Sequence, residues 1–303
     1  MDSSTRHGLA LSVVIATRDR PHLLDDCLDA CERALGPDDE IVVVDSASTS
    51  PATAELVGRR RARLVRCKVP GASLARNAGW RAALSPLVAF VDDDVRVAPG
   101  WAEAWRRAFG ADGDLGFATG RLTAPPDGDL GLRPVAVFDE PEAAEIGPWS
   151  VGGFGHGANM AVRRADLEAV GGFDETLGPG TRWYAGEDLN LFDRLVAAGS
   201  RGRYVPSAEA WHMQWRTRRQ LMTLEWRYGV GQGARLVKLR RIDPARARPL
   251  VRVTQWDEGV KAVLAAARRG WKFTTASTAL RMVGTAVGAV SCATRSRPQP
   301  GTG

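Results

Sequence analysis

The sequence predicts an α/β protein built on a doubly wound, mostly parallel β-sheet, with a basic helical extension at its C-terminal end. Short runs of Val, Ile, Leu and Phe, typical of strands buried on both faces, alternate with amphipathic helical segments over residues 11–205. Residues 213–303 carry 18 Lys and Arg against 4 Asp and Glu, whereas residues 1–212 carry 23 against 31. We therefore predict two regions, residues 9–212 and residues 213–303.

The overall composition is that of a soluble globular protein, with 44% hydrophobic and 25% charged residues. No N-terminal stretch pairs positive charge with an apolar run, so we expect no secretory signal. The four cysteines, Cys27, Cys31, Cys67 and Cys292, have no CxxC or metal-ligand spacing. They indicate reduced thiols and a cytoplasmic protein.

The first part of the chain predicts strand–helix units. Strands are expected at residues 11–16, 41–44, 64–67 and 87–91. Helices are expected from Pro21 and from Pro51, the second of them through Arg61, since proline suits the first turn of a helix. Ser73 has the position of an N-cap for the next helix.

Three carboxylates, Asp92, Asp93 and Asp94, directly follow the apolar strand at residues 87–91. The carboxyl ends of strands form the ligand-binding edge of an open α/β sheet. A divalent cation would offset the repulsion among the carboxylates, and alternate residues of an extended segment point the same way. This pattern predicts a metal site that holds a diphosphate, although a polar turn is the simpler alternative.

Four strand-end loops are expected to converge at this edge and to bind a nucleotide. Their polar groups are Thr17, Arg18, Asp19 and Arg20, then Asp45, then Arg76 and Asn77, then residues 92–94. A carboxylate at Asp45 can accept from a base or a ribose hydroxyl. Arg76 can neutralise phosphate or contact the base.

The second part of the chain continues the alternation less regularly. Its expected elements are a helix at 99–109, a strand at 115–119, a proline-rich loop at 123–150, a glycine-rich stretch at 152–157, a strand at 159–162, a helix at 164–170, a helix from 187 and a strand at 203–205. A loop that long in a compact domain is often functional.

The extension is expected to be helical over 217–240, 255–269 and 273–291 and disordered after Arg295. We interpret residues 229–233, which contain three glycines, as a helix break. Arg281 excludes a membrane span at 273–291. Five aromatic residues, Trp215, Trp226, Tyr228, Trp256 and Trp271, lie among the basic residues, a composition that favours anionic membrane surfaces. A solvated charged face is the alternative, and no motif indicates nucleic-acid binding.

These motifs taken in order resemble the family 2 glycosyltransferases, which have the GT-A fold. The matching segments are residues 12–20, 43–48, 75–79, 92–94, 172–175 and 186–188. The resemblance covers residues 10–212 and implies an inverting, metal-dependent transferase that uses a nucleotide sugar and a hydroxyl acceptor.

On the donor side, the resemblance implies that Asp45 binds the nucleoside and Asp93 the ribose. Asp94 would bind Mn²⁺ or Mg²⁺ with support from Asp92, and His212 would join the metal shell. A satisfied buried histidine is the alternative for His212. The metal and Arg76 would stabilise the leaving diphosphate.

On the acceptor side, the resemblance implies that Asp188 is the general base and that Glu187 and Asp174 position it or an acceptor hydroxyl. Asp188 could also be a simple helix-start carboxylate. Trp183, Tyr184 and Trp211 could stack on a sugar or fill the core.

The leading functional hypothesis is glycosyl transfer to a lipid-linked cell-envelope glycan or glycolipid by a cytoplasmic enzyme, peripheral on the inner face of the plasma membrane. A natural-product or peptide acceptor is the first alternative. A sugar-1-phosphate nucleotidyltransferase would need a glycine-rich loop after the first strand, which residues 16–22 lack. A non-catalytic scaffold would need a broken acidic triplet or no Asp188.

Overall fold

A computed structural model describes residues 9–125, 132–148, 150 and 154–295. The predicted disorder after Arg295, part of the proline-rich loop and residues 152–153 lie outside the described residues. The strands are β1 (Leu11–Thr17), β2 (Glu40–Ser46), β3 (Arg63–Cys67), β4 (Leu87–Asp92), β5 (Val95–Val97), β6 (Leu115–Thr123), β7 (Arg133–Pro134), β8 (Ala144–Ile146), β9 (Asn159–Arg163), β10 (Arg201–His212) and β11 (Trp215–Arg216).

Nine of these strands form one sheet in the order β3-β2-β1-β4-β9-β6-β10-β5, with β8 also paired to β10. Strands β1 to β4 are parallel, and β6 and β10 are parallel, which confirms the predicted fold class. Strand β9 runs antiparallel between β4 and β6. It lies inside the sheet and joins the two parallel halves.

The body helices cover both faces of the sheet. They are α1 (Pro21–Ala34), α2 (Ala52–Val57), α3 (Ala72–Ala82), α4 (Trp101–Ala111), α5 (Arg164–Val170) and α6 (Glu187–Ala197). Side chains from α1 and α4 share one buried cluster with residues such as Val13 and Ile15 of β1. Side chains from α3 and α6 share a second cluster with Val14. Alternate residues of β1 thus point to opposite cores, as a doubly covered sheet requires.

Three expectations about local structure are wrong. Ser73 does not cap α3: Gly71 precedes the helix, and the Ser73 hydroxyl donates to the Leu177 carbonyl at 2.7 Å. Helix α2 ends at Val57, several residues earlier than expected. The last strand extends from Arg201 to His212 because it pairs successively with β8, β6 and β5.

The extension contains α7 (Arg218–Ile242), α8 (Pro244–Val251), a π-helical segment (Arg252–Lys261), α9 (Ala262–Arg268) and α10 (Lys272–Arg295). A capping box starts α7: Thr217 Oγ1 accepts from the Gln220 amide, and Gln220 Oε1 accepts from the Thr217 amide. Among the described residues, no helix combines the length and apolar character needed to span a bilayer.

The predicted helix break at residues 229–233 is wrong, because α7 is continuous through its glycines. A side chain at Gly233 would overlap the Thr285 carbonyl of α10, and one at Gly288 of α10 would overlap the Val230 carbonyl. The glycines therefore allow two helix backbones to approach closely, as small residues do in tightly packed helix pairs.

A matched pair of substitutions tests this packing. Gly233→Ala forces the backbones of α7 and α10 apart, so we expect the free energy of unfolding to fall by about 1–3 kcal/mol. In Gly110→Ala, within α4, the added Cβ meets no described atom within 4 Å. Its helix propensity should raise the free energy of unfolding by up to about 1 kcal/mol. Urea denaturation of both variants measures the difference, and equal effects would contradict the packing.

Candidate active site

The loops after β1 and β4 meet in a small network of charges. Thr17 Oγ1 donates to Asp93 Oδ2 at 2.7 Å. Arg20 Nη1 lies 3.2 Å from both Asp93 Oδ1 and Asp94 Oδ2. The Asp93 and Asp94 side chains are almost fully buried, whereas Arg20 remains 44% exposed. The guanidinium of Arg20 thus neutralises two carboxylates from the solvent side.

Asp92 does not pair with Arg20, as Asp93 and Asp94 do, but with Arg76. Its Oδ1 accepts from Arg76 Nη2 at 2.6 Å, and Arg76 Nη1 donates to Glu187 Oε1 at 2.9 Å. Asp93 and Asp94 form the turn between β4 and β5. The alternation of side chains along an extended strand therefore does not set the directions of the three carboxylates. The expectation that Asp92 and Asp94 share one direction is therefore wrong: they contact different groups.

Arg76 is engaged by two carboxylates and does not face solvent. It is 6% exposed, and its pairing places it between the strand edge and the start of α6. The predicted roles for Arg76, phosphate neutralisation and base contact, would require it to leave one of these partners. In this structure Arg76 joins the donor edge of the sheet to the Glu187–Asp188 motif.

Burial changes the ionisation of two of these carboxyl groups. Desolvation, reinforced by the neighbouring Asp94 charge, raises the pKa of Asp93 to about 6. Desolvation and the Asp188 charge raise the pKa of Glu187 to about 7, although Arg76 opposes the rise. Both groups therefore titrate close to neutral pH.

His212 and Asp94 face each other at the end of β10. His212 Nδ1 lies 2.9 Å from the Val135 carbonyl, so Nδ1 carries the proton and donates. Its Nε2 then points toward Asp94 Oδ1 at 3.4 Å. Burial alone would raise the pKa of Asp94, but His212, Gln214 and Arg20 together lower it. Burial alone would lower the pKa of His212, but Asp94 outweighs it and raises that pKa. A proton on Nε2 thus pairs the two side chains when no cation is bound.

This pair fits a divalent cation. Asp94 Oδ1 and His212 Nε2 are both buried and, among the described residues, have no hydrogen-bond partner. Two acceptor atoms facing each other are stabilised by a cation or a proton between them. Within the described chain, no three His, Cys, Asp or Glu side chains form a metal-binding group. A metal would thus have two protein ligands, and the predicted third residue, Asp92, lies against Arg76.

The predicted nucleoside-binding residues lie at the carboxyl ends of β1 and β2. Asp45 is fully buried, and its Oδ1 accepts from the Ser48 amide. Its Oδ2 has no hydrogen-bond partner among the described residues, but Arg66 Nη1 lies 3.5 Å from it at ion-pair distance. Asp19 has a positive φ of 54° and accepts from the amide and hydroxyl of Thr49. Arg18 is exposed beside Asp19. Asp45 Oδ2 could therefore accept from a ligand only if the ligand displaces Arg66, which is 55% exposed, whereas Asp19 holds the two loops together.

Asp188 lies on the other side of the site, at the start of α6. Its Oδ2 accepts from the Gly157 amide at 3.0 Å and its Oδ1 from the Leu189 amide at 2.8 Å. A Cβ at Gly157 would lie 2.7 Å from the Cβ of Asp188, so only glycine allows this approach. Asp188 itself is partly exposed. A carboxylate fixed by two amides and open to solvent can accept a proton from a bound hydroxyl.

The remaining acceptor-side predictions have different outcomes. Asp174 is held by Lys238 of α7 at 2.7 Å and by Thr176, so it anchors its loop. Trp183 is buried, in a cluster that includes Val230 of α7, and fills core. Tyr184 is 41% exposed with a positive φ of 56°, and Arg227 lies over its ring at 5.5 Å. Tyr184 is therefore an exposed aromatic side chain that could stack on a sugar, and Trp211 is half-buried.

The structure brings three further residues to the site that the sequence did not predict. They are His156, Gln214 and Arg227. The lowered pKa of His156 results mainly from burial, partly opposed by the Asp188 charge, and indicates a neutral imidazole near Asp188. Arg20 was predicted as part of the strand-end loop, but its pairing with Asp93 and Asp94 was not. His156, Gln214 and Arg227 reach the site through long-range folding, so no local pattern indicated them.

The family model described as glycosyl transferase family 2 matches residues 12–171 of this sequence. The chain belongs to glycosyltransferase family 2. The pre-mycofactocin glycosyltransferase of Mycobacterium tuberculosis is 30% identical over 189 residues, which cover 57% of this chain and 37% of that protein. The validoxylamine A glucosyltransferase of Streptomyces hygroscopicus is 30% identical over 251 residues, which cover 71% and 53%. The chain thus spans about a third to a half of these curated relatives.

Solved structures of glycosyltransferases share the GT-A fold seen here. The mannosyltransferase PcManGT from Pyrobaculum calidifontis, in complex with GDP-Man and Mn²⁺, has a TM-score of 0.64 at 18% identity and covers 92% of this chain and 86% of its own. TarS 1-349 from S. aureus, in complex with UDP-GlcNAc, has a TM-score of 0.56 at 14% identity, with coverages of 96% and 93%. At these identities the likeness establishes the fold.

The raised pKa of Glu187 predicts a pH-dependent stability for this family member. Folding raises this pKa from 4.5 to about 7. The native state therefore binds the proton more tightly, and the resulting stabilisation is full below pH 4.5 and lost as the pH rises through about 7. Glu187→Gln should abolish this dependence, which amounts to up to about 3 kcal/mol. Denaturant titrations at several pH values measure it.

Glu142→Gln, which changes an exposed carboxylate, serves as the control and should follow the wild-type pH curve. Parallel curves for wild type and Glu187→Gln would show that Glu187 does not titrate in this range.

Proposed function

We propose that this protein transfers a glycosyl group from a nucleotide sugar to an acceptor hydroxyl, with inversion at the anomeric carbon. The supporting observation is that one network of ion pairs connects the carboxyl end of β4 with the start of α6. The Asp94–His212 pair lies at the donor edge, and Asp188 lies beside Glu187, which Arg76 links to Asp92. The network therefore connects a cation-binding pair with an accepting carboxylate.

On the donor side, Asp94 and His212 would hold Mn²⁺ or Mg²⁺, which neutralises charge on a bound diphosphate. The Oδ2 atom of Asp45, which has no hydrogen-bond partner among the described residues, would accept from a base N–H or a ribose hydroxyl. Arg20 is exposed and pairs with Asp93 and Asp94. When the donor binds, Arg20 would release one of these carboxylates and bind phosphate oxygens. The PcManGT structure, which contains GDP-Man and Mn²⁺, supports this type of donor.

On the acceptor side, Asp188 would take the proton of the attacking hydroxyl. The amides of Gly157 and Leu189 stabilise its ionised form and hold its orientation. The hydroxyl oxygen would attack the anomeric carbon from the face opposite the leaving diphosphate, and this geometry inverts the configuration. Tyr184 offers a ring face on which an acceptor sugar could stack.

Two acceptor classes are supported by different observations. The basic extension favours a lipid-linked glycan or glycolipid at an anionic membrane, as in cell-envelope synthesis. The similarity to a pre-mycofactocin glycosyltransferase and a validoxylamine A glucosyltransferase favours the alternative, a natural-product or peptide acceptor. A polyprenyl phosphate would need no general base, so the ordered Asp188 favours hydroxyl acceptors.

We further propose peripheral membrane attachment through α10. Val283, Val287 and Val290 are 56%, 44% and 64% exposed and are spaced along one face of the helix. Trp271, just before α10, is 53% exposed, with Arg269 over its ring. Apolar side chains with an aromatic residue and basic neighbours suit insertion at the headgroup level.

A donor screen tests the proposed activity. Thermal shift with nucleotide sugars, each with Mn²⁺ or Mg²⁺, should identify one donor that stabilises the protein, by about 2.7 kcal/mol at a hundredfold excess over its dissociation constant. Donor consumption should then rise when a suitable hydroxyl acceptor is added. Nucleotidyl transfer from a nucleoside triphosphate and a sugar phosphate would contradict the proposal.

The variant Asp188→Asn separates chemistry from donor binding. Asparagine keeps the shape and one hydrogen-bond acceptor but cannot take a proton, so turnover should fall by about 10²–10⁴-fold. Donor affinity should stay unchanged. Asp114→Asn, at an exposed turn, is the control. A large loss of donor affinity with a small loss of rate would assign Asp188 to the donor site instead.

The variant Asp94→Ala removes half of the proposed cation-binding pair. Calorimetry with nucleoside diphosphate and Mn²⁺ should show strong binding to wild type and little heat with this variant. Asp92→Asn is the comparison, because Asp92 is held by Arg76 and should retain most of the metal-dependent binding. The assignment of the pair fails if Asp94→Ala binds as wild type does.

Vesicle cosedimentation tests the attachment. Binding should be strong to vesicles with anionic lipid at low salt and weaker at high salt, because salt screens the attraction between the basic residues and the lipid headgroups. The triple substitution of Val283, Val287 and Val290 by serine should weaken binding without removing a charge. Equal binding to neutral vesicles, or none to either, would exclude an anionic membrane partner.

A further inference from the structure

Two arginines face each other across the two-stranded ribbon that β7 and β11 form. Arg133 and Arg216 are Cα partners in this antiparallel pair. Side chains of directly opposite residues lie on the same face, with their Cβ atoms about 4.5–5.5 Å apart, and like charges in this arrangement destabilise the pairing. A negative group bound between the two arginines would therefore stabilise the ribbon.

A third arginine joins this pair through a phenylalanine of α10. The Arg133 guanidinium lies 5.6 Å and the Arg218 guanidinium 5.8 Å from the centre of the Phe273 ring. Phe273 is half-buried, whereas Arg133 and Arg218 are exposed. One ring thus holds two guanidinium groups at the surface, where an anion can reach them.

Protein carboxylates do not neutralise these three arginines within the described part of the chain. Arg216 donates from Nη1 to the Trp215 carbonyl at 3.1 Å and from Nη2 to Gln214 Oε1 at 2.8 Å, and both acceptors are uncharged. The guanidinium groups of Arg133 and Arg218 contact the ring, and neither forms an ion pair with a described residue. Three positive charges thus meet at one surface without a counter-charge among the residues that the structure describes.

The ribbon is attached to the cation-binding pair of the active site. Val135 follows β7, and its carbonyl lies 2.9 Å from His212 Nδ1. Gln214 precedes β11; its amide donates to Asp94 Oδ2 and accepts from Arg216. The three arginines therefore lie between the proposed donor site and the start of α10, the helix of the proposed membrane attachment.

A phosphate group fits this arrangement better than a carboxylate does. A phosphomonoester carries about −1.5 to −2 charge at pH 7, with three oxygens that accept strong hydrogen bonds. It can therefore pair with several guanidinium groups at once, whereas the two oxygens of a carboxylate match one planar guanidinium fork. Three arginines without a counter-charge thus favour a phosphate.

We propose that Arg133, Arg216 and Arg218 form a phosphate-binding site beside the donor site. The phosphate belongs to a soluble phosphoester, such as a phosphorylated acceptor, or to a lipid headgroup. The site is separate from the Asp94–His212 pair, which is assigned to the diphosphate of the donor. Its test requires no turnover, so the phosphate site can fail while the proposed glycosyl transfer holds.

Calorimetry on the full chain at low salt tests the site with glycerol 3-phosphate as the probe. Nucleoside diphosphate and Mg²⁺ are added first to occupy the donor site, and their own binding is measured separately. Wild type should then bind glycerol 3-phosphate at millimolar concentration. Glycerate, the carboxylate counterpart, should bind at least about tenfold more weakly.

Matched double variants show which arginines bind the probe. Arg133→Gln with Arg218→Gln should weaken glycerol 3-phosphate binding at least about tenfold. The control, Arg59→Gln with Arg107→Gln, removes the same two charges at exposed positions in the body of the protein and should bind as wild type does. All four positions are exposed, so both variants should fold, and their far-UV circular dichroism spectra should match that of wild type.

Vesicles of phosphatidylcholine with phosphatidic acid distinguish the two sources of the phosphate. If the ligand is a lipid headgroup, the variant of Arg133 and Arg218 should cosediment less than the control variant of equal charge. Equal cosedimentation, with only glycerol 3-phosphate binding lost, would assign the site to a soluble phosphoester. Either result supports a phosphate site.

The proposal is overturned if wild type gives no heat with glycerol 3-phosphate, or if glycerate binds as tightly. Binding that survives the substitution of Arg133 and Arg218 would also overturn it. A loss of nucleoside diphosphate affinity in that variant would do the same, because the arginines would then belong to the donor site.

Discussion

Arg76 is the residue on which the arrangement of this active site depends. It is almost fully buried and binds Asp92, at the end of the central strand, and Glu187, at the start of α6. Removing one member of a buried ion pair leaves an uncompensated charge and typically costs about 3–5 kcal/mol. The donor edge of the sheet and the acceptor-side helix are therefore held in one geometry. Arg20 neutralises Asp93 and Asp94 from the open side, where a ligand can compete with it.

The helical extension packs against the part of the site that we assign to the acceptor. Lys238 of α7 binds Asp174, and Arg235 of α7 binds Asp193 of α6. At Gly231 of α7 an added Cβ would overlap the Ala185 carbonyl, so this glycine lets the loop before Asp188 approach the helix. A region that composition marks as separate and basic thus packs against the loop that carries the proposed base. We propose that residues 213–303 serve both this supporting role and membrane attachment.

The sequence predicted features that depend on local pattern. Buried apolar runs identified the parallel strands, and the geometry of parallel sheets implied that the groups following them would gather at one edge. Non-local features could not be predicted. Arg76 and Glu187 are 111 positions apart, and nothing local indicates that they meet. Strand β9 enters the sheet between two strands that precede it in the chain. Trp183 and Tyr184 are neighbours of similar character, and only packing against α7 decides which ring is buried. The glycines of α7 indicated a break because their partner helix lies far along the chain.

The central claim is that Asp94 and His212 form the cation-binding pair of a nucleotide-sugar site. Anomalous scattering from a crystal grown with Mn²⁺ and a nucleoside diphosphate tests it most directly. The account predicts a manganese peak within coordination distance of Asp94 Oδ1 and His212 Nε2, with diphosphate oxygens completing the shell and Asp92 still paired with Arg76. A peak bound by Asp92, or one remote from His212, would contradict the account.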